Sequence, residues 1–136
     1  MSDANQATGA LAGLRVLDLT GRMGGYCGLL LANLGADVLL IEAPGGDPMR
    51  REGPFKNDTP DRERSLAFAA YHTNKHGAVL NLEEANGSQR FLGLAADADV
   101  VIEDKPFGYL DGLQLGYAEL DKLNPALVLT SISGFG

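Results

Sequence analysis

The residues of this chain best suited to chemistry are gathered in one stretch, residues 11–50, LAGLRVLDLTGRMGGYCGLLLANLGADVLLIEAPGGDPMR. Gly21, Gly24, Gly25 and Gly28 follow a short apolar run that ends at Thr20. A turn so poor in side chains can fold back sharply and lets a ligand come close to the backbone. Glu42 closes the second apolar run and falls at the carboxyl end of its strand. Open α/β sheets bind their ligands at that edge.

Several kinds of chemistry can be weighed against this spacing. A dinucleotide site needs glycines at the first, third and sixth positions of its turn. Gly25 and Gly28 can serve as the second and third, but the first falls on Met23. Glu42 stands about 20 residues on, where a ribose-binding carboxylate belongs, so one feature fits and one fails. No Gly-Lys-Ser/Thr follows the turn, which excludes a P-loop. His72 and His76 have helical spacing but no third ligand nearby, so both read as surface polar groups and no metal site is expected. No Ser-His-Asp set assembles, and Ser131 and Ser133 read as strand-end hydrogen bonders. Asp18, inside an apolar strand, reads as a carboxylate capping neighbouring amides. Cys27, the single cysteine, reads as a small apolar packing residue in a reducing compartment. Arg50, Arg51, Arg62, Arg64 and Lys75 fall close together, interleaved with Glu52, Asp58, Asp61 and Glu63, and read as a solvated loop.

The elements that must position these residues are legible in outline. Val16–Leu19 and Val38–Ile41 read as strands around an apolar helix through Leu29–Leu34, which Gly35 terminates in the left-handed conformation. A long Gly- and Pro-rich loop follows Glu42. Ser65–Tyr71 fits either a short helix or an extended segment. Ala78–Leu82 reads as a strand, Glu83–Ala96 as a helix, Val100–Ile102 as a buried strand ending in Glu103, and Tyr117–Leu123 as a helix stopped at Asn124-Pro125. Leu127–Ile132 is the last strand. Strands alternating with helices predict a parallel, doubly wound α/β sheet.

With 136 residues and 45% hydrophobic content, the chain has enough apolar material for a core. A net charge of −7 speaks against a nucleic-acid partner, which would need a broad basic face. No apolar run reaches the roughly 18 residues of a membrane helix. The opening residues lack a signal peptide's basic and apolar parts, so residues 1–10 are expected to be a disordered tail and the cytoplasm the compartment. A sequence ending just after a strand, at Gly134-Phe135-Gly136, suggests an incomplete domain.

Taken together, LAGLRVLDLT, LANLGADVLLIEAPGGDPMR, Thr73-Asn74-Lys75, ADVVIE at 98–103 and LNPALVLTSISGFG resemble the class III CoA-transferases. That family includes formyl-CoA and carnitine CoA-transferases and the related 2-methylacyl-CoA racemases. The resemblance implies a Rossmann-like open parallel sheet with flanking helices over 11–136, and coenzyme A or an acyl-CoA lying across the carboxyl ends of the strands. In such transferases an aspartate attacks the thioester, and CoA passes from one carboxylic acid to another, aided by glycine-loop amides. The expected assembly is a homodimer or a complementing chain.

By the same resemblance, the coenzyme-binding positions fall on Gly21, Arg22, Met23, Gly24, Gly25, Ala43, Arg50, Leu80, Asp104 and Lys105. Several of these depart from the family pattern. Gly21-Arg22-Met23 replace a polar, apolar, Gln run, Ala43 replaces a base-contacting Arg, and Asp104-Lys105 replace Asn-Phe. The catalytic aspartate aligns beyond Gly136, so no catalytic residue is assigned. A non-catalytic scaffold or partner subunit and a racemase-like isomerase fragment stand as alternatives.

Overall fold

The computed structural model describes residues 8–135. Five parallel strands form one sheet in the order β3-β2-β1-β4-β5. They are β1 (Arg15–Leu19), β2 (Asp37–Glu42), β3 (His76–Val79), β4 (Val100–Glu103) and β5 (Val128–Ser131). The helices are α1 (Gly25–Asn33), α2 (Leu66–His72), α3 (Ala85–Ala95), α4 (Tyr109–Gly112) and α5 (Tyr117–Leu123). The doubly wound α/β sheet anticipated from the sequence is therefore present.

Alternation along the central strands sorts the core into two layers. Val16, Val38 and Ile102 pack with Cys27, Leu31 and Ala32 beneath α1. Leu17, Leu19 and Val101 face the other way, against Phe91 and Ala95 of α3 and Leu120 of α5. Cys27 is a free thiol packed among apolar neighbours. Gly35, at φ +101°, ends α1 in the left-handed region as expected. Asn124 closes the other layer: its side-chain amide donates to the carbonyls of Ala95 and Ala98 at 3.1 and 2.8 Å.

Some elements differ from the sequence expectation. The segment left open at Ser65–Tyr71 is helical, because the Ser65 hydroxyl accepts the Phe68 N–H at 3.1 Å and caps α2. The third strand lies earlier than Ala78–Leu82, since the turn at Asn74 delivers the chain to the sheet by His76. The loop after Glu42 contains two 3₁₀ turns, Pro48–Arg51 and Lys56–Asp58, and its Lys56 and Arg64 are hydrogen-bonded through the backbone at 2.9 Å. We call this segment the strap. Of the tail expected over 1–10, residues 1–7 lie outside the described residues, while Leu11 N–H bonds to the Leu34 carbonyl at 2.9 Å. Among the described residues no helix is long and apolar enough to cross a membrane.

Candidate functional site

β1 and β4 are neighbours, yet α1 leaves β1 over one face of the sheet and the α4–α5 segment leaves β4 over the other. A crevice opens outside the carboxyl ends of the strands where connections diverge in this way. Here a cleft of about 670 Å³ lies at that point, lined by the turn Gly21-Arg22-Met23, the strap residues Asp47, Pro48, Met49 and Glu52, and Asp104-Lys105 after β4. A smaller cavity of about 200 Å³ lies at the opposite, amino edge, near Arg15, Asp37 and His76.

The floor of the cleft is set by Asp104. Its carboxylate accepts the Gly21 N–H at 2.9 Å and the Gly24 N–H at 3.0 Å. Both amides belong to the turn that leads into α1, and a carboxylate there also meets the positive end of the helix. The glycine-turn amides expected to face a ligand are thus already engaged by a carboxylate of the chain itself. Arg22 and Glu52 form an ion pair across the mouth. Lys105 makes no ion pair among the described residues, while its own amide donates to Glu103 Oε2 at 2.6 Å.

Glu42 and Arg50 bound the strap but do not line the cleft. Arg50 Nε and Nη2 donate to the two oxygens of Glu42, each at 2.7 Å, and the Asp47 N–H adds a third bond at 2.7 Å. The Arg50 hydrogen bonds hold the Glu42 carboxyl below its usual range despite the opposing effect of burial. Arg50 also lies 3.9 Å over the Phe68 ring. Glu42 is committed to Arg50 and the Asp47 amide and does not line the cleft, which weakens the feature that favoured a dinucleotide.

Beneath the turn lies a buried polar knot. Lys75 and Asp18 form an ion pair at 2.7 Å, with side chains 1% and 0% exposed. The Lys75 ammonium spends its other two protons on the Gly25 carbonyl at 2.9 Å and His72 Nδ1 at 2.9 Å. Asp18 also accepts the Thr20 N–H at 2.8 Å and its hydroxyl at 2.5 Å. The amide-capping role read for Asp18 is present, and the buried cation is added to it. His72, expected at the surface, is buried, and its Nε2 finds no partner among the described residues. Burial, reinforced by the Lys75 charge, pushes the His72 pKa down. His76 is exposed as expected, 3.8 Å from Asp37. Among the described residues no three His, Cys, Asp or Glu side chains gather as a metal-ligand set.

Of the positions assigned by resemblance, Gly21, Arg22, Met23, Asp104 and Lys105 come together in the cleft. Gly24 is bound to Asp104 behind it, and Gly25 packs against His72 at the start of α1. Ala43 is exposed after β2, its carbonyl accepting the Gly46 N–H. Arg50 is drawn to Glu42, and Leu80 packs into the apolar core beside α3. Sequence reasoning missed Asp47, Pro48, Met49 and Glu52. A signal was available, because Asp47 followed by Pro48 is the pattern of a capped turn, and Asp47 Oδ1 accepts the Met49 N–H at 2.7 Å.

A doubly wound parallel sheet with a cleft at its switch point defines an open α/β protein. Residues 11–136 match the model of CoA-transferase family III, and the chain belongs to that family. It is 43% identical over 122 residues to the succinyl-CoA:(R)-benzylsuccinate CoA-transferase subunit BbsE of Thauera aromatica, covering 90% of this chain and 30% of that protein. It is 42% identical to the succinyl-CoA:mesaconate CoA-transferase of Haloarcula marismortui, covering 94% of this chain and 33% of that one. A CAIB/BAIF family protein from Brucella suis has the same fold, with a TM-score of 0.84 and 34% identity over 93% of this chain and 34% of its own. The chain spans about a third of the length of the relatives it matches.

Proposed function

We propose that this chain is the coenzyme A-binding portion of a class III CoA-transferase. In the whole protein CoA would pass between carboxylic acids through an aspartyl intermediate. The supporting observation is the cleft at the β1/β4 switch point, in a chain whose relatives are named as CoA-transferases. Glycine-turn backbone forms one wall, exposed Met23 gives apolar surface for a thioester arm, and Arg22 and Lys105 supply cations at the rim. No residue of the chain is assigned as the attacking carboxylate. Asp18 is sealed in its ion pair and Asp104 is held by two amides, so neither is placed as a free nucleophile. By the family resemblance the attacking aspartate aligns beyond Gly136, so in this reading it is supplied by further sequence or by a second chain. Some relatives are named as subunits, among them BbsE and the alpha and beta subunits of succinyl-CoA–L-malate CoA-transferase.

Calorimetric titration of the chain with CoA tests this reading. Micromolar binding that is weakened when the exposed Met23 is replaced by Asp, with thermal unfolding showing the fold intact, supports it, whereas absence of binding overturns it. Purified chain with an acyl-CoA and an acceptor acid is expected to show no transfer.

A second reading, a non-catalytic scaffold or partner subunit of the same family, is favoured by one observation. Asp104 neutralises the amides that would otherwise receive negative charge. It predicts no CoA binding and stable association with a chain that carries the aspartate.

A further inference from the structure

A pair of arginines stands beside the cleft without an ion pair of its own among the described residues. Arg51 Nη2 donates to the Gly45 carbonyl at 3.0 Å, and Arg62 Nη2 donates to the same oxygen. Neither guanidinium makes an ion pair among the described residues, and the nearby acids are committed elsewhere. Glu42 and Glu63 bind Arg50, and Glu52 binds Arg22. Two cations are thus brought together on one neutral oxygen in a chain whose net charge is −7. The turn that presents this oxygen is built for the purpose. Gly45 and Gly46 both have positive φ, +94° and +77°. A Cβ on Gly46 would fall 2.8 Å from Arg62 Nη2, 2.9 Å from Arg50 Cδ and 3.2 Å from Glu42 Oε2, the oxygen already bonded by Arg50 and the Asp47 N–H. Glycine leaves the room in which the guanidiniums converge.

We propose that Arg51 and Arg62 form an anion-binding pair that takes a phosphomonoester. A carbonyl offers lone pairs but no charge, and the nearby Glu42 carboxylate is shared with Arg50, so the two guanidiniums on Gly45 lack an anion of their own. A phosphate dianion offers several acceptor oxygens and two negative charges, which match forked guanidinium donors. The position also fits an extended ligand. Gly45 lies two residues before Asp47, and Arg51 directly precedes Glu52, both of which line the cleft. A coenzyme with its thioester arm in the cleft would carry its ribose phosphate outward along the strap to this pair. That assignment of the ligand rests on the coenzyme A reading above, whereas the anion pair itself does not.

The test compares CoA with dephospho-CoA, which lacks only the phosphomonoester, by calorimetry on the full chain. Wild type is expected to bind CoA at least about tenfold more tightly, as the loss of charge-assisted hydrogen bonds would require. Arg51→Gln with Arg62→Gln is expected to bind both alike, with dephospho-CoA affinity unchanged. Arg64→Gln, which removes a strap cation away from Gly45, is expected to keep the tenfold preference. Equal binding of the two coenzymes by wild type, or equal weakening of both by the double variant, overturns the proposal. If neither coenzyme binds, the coenzyme reading fails and inorganic phosphate decides the pair alone. Phosphate binding by wild type that the double variant loses supports it, and no phosphate binding by wild type overturns it. Thermal unfolding of each variant confirms that the fold is intact.

Discussion

Lys75 reaches back from the start of β3 to Asp18 in the middle of β1, closing a 2.7 Å ion pair under α1 that solvent does not touch. Gly28 makes this possible, because any Cβ there would collide with Asp18 Oδ2 and press on Lys75 Nζ. The pair anchors the turn of the candidate site through the Lys75 bond to the Gly25 carbonyl. Lys75→Met is expected to destabilise the fold by about 3–5 kcal/mol, because it strands a buried carboxylate. Urea denaturation measures this, and restoring much of the loss with the added change Asp18→Leu would confirm that the stranded charge is the cause. Gly28→Ala is expected to cost about 1–3 kcal/mol by overpacking.

His72 gives the fold a dependence on mild acid. Its pKa in the fold lies below the ordinary 6.5, chiefly from burial. As pH falls through 6.5 the unfolded chain takes up the proton first, so stability declines below that pH and levels off once the folded imidazole is also protonated. Urea midpoints followed downward from neutral pH should show this decline, and His72→Gln should flatten it. An equal slope in both proteins would contradict the assignment.

Glu42 acts lower on the scale and with the same sign. Arg50 depresses its pKa below 4.5, so its contribution is present above that value and is lost as pH falls through the folded-state pKa. Arg50→Lys keeps the charge but not the two-pronged contact, nor the stacking on Phe68. It should loosen the strap before the sheet. Limited proteolysis should then cut first between residues 43 and 64, faster than in wild type, with the rest of the chain resistant.

Asp104 holds the turn after β1 to the end of β4. Asp104→Ala leaves the Gly21 and Gly24 amides without their acceptor and should cost about 1–3 kcal/mol, with Asp104→Asn costing less. Proton NMR gives a direct check. Both glycine amide resonances should move upfield together in Asp104→Ala, and movement of only one would show that the carboxylate does not bridge them.

The sheet was largely legible because its signals are local. Short apolar runs at Val16–Leu19, Val38–Ile41 and Val100–Ile102 are buried strands, and Gly35 ends α1 where a left-handed residue was expected. Of the candidate site, the grouping of Gly21, Arg22, Met23, Asp104 and Lys105 was legible through the family resemblance, and they share one cleft although more than eighty positions separate the two groups, as the spacing of Gly21 and Asp104 shows. Helix α2 was not resolved by periodicity, since SLAFAAY is too short and too uniformly apolar, and the Ser65 cap was the missing cue.

What the sequence determined by itself is the fold class, because alternating apolar runs and glycine turns are local signals, and the family, through motifs spread along the chain. Tertiary structure alone decided which charges are free. Arg50 and Lys75 look alike in the sequence as loop cations, yet one is locked on Glu42 and the other is buried on Asp18. His72 and His76 look alike as polar groups, yet only the first is enclosed, by Phe68, Lys75 and the start of α1. Pairing and burial arise from residues distant in the chain, and the energy of a charge depends on those neighbours more than on its type.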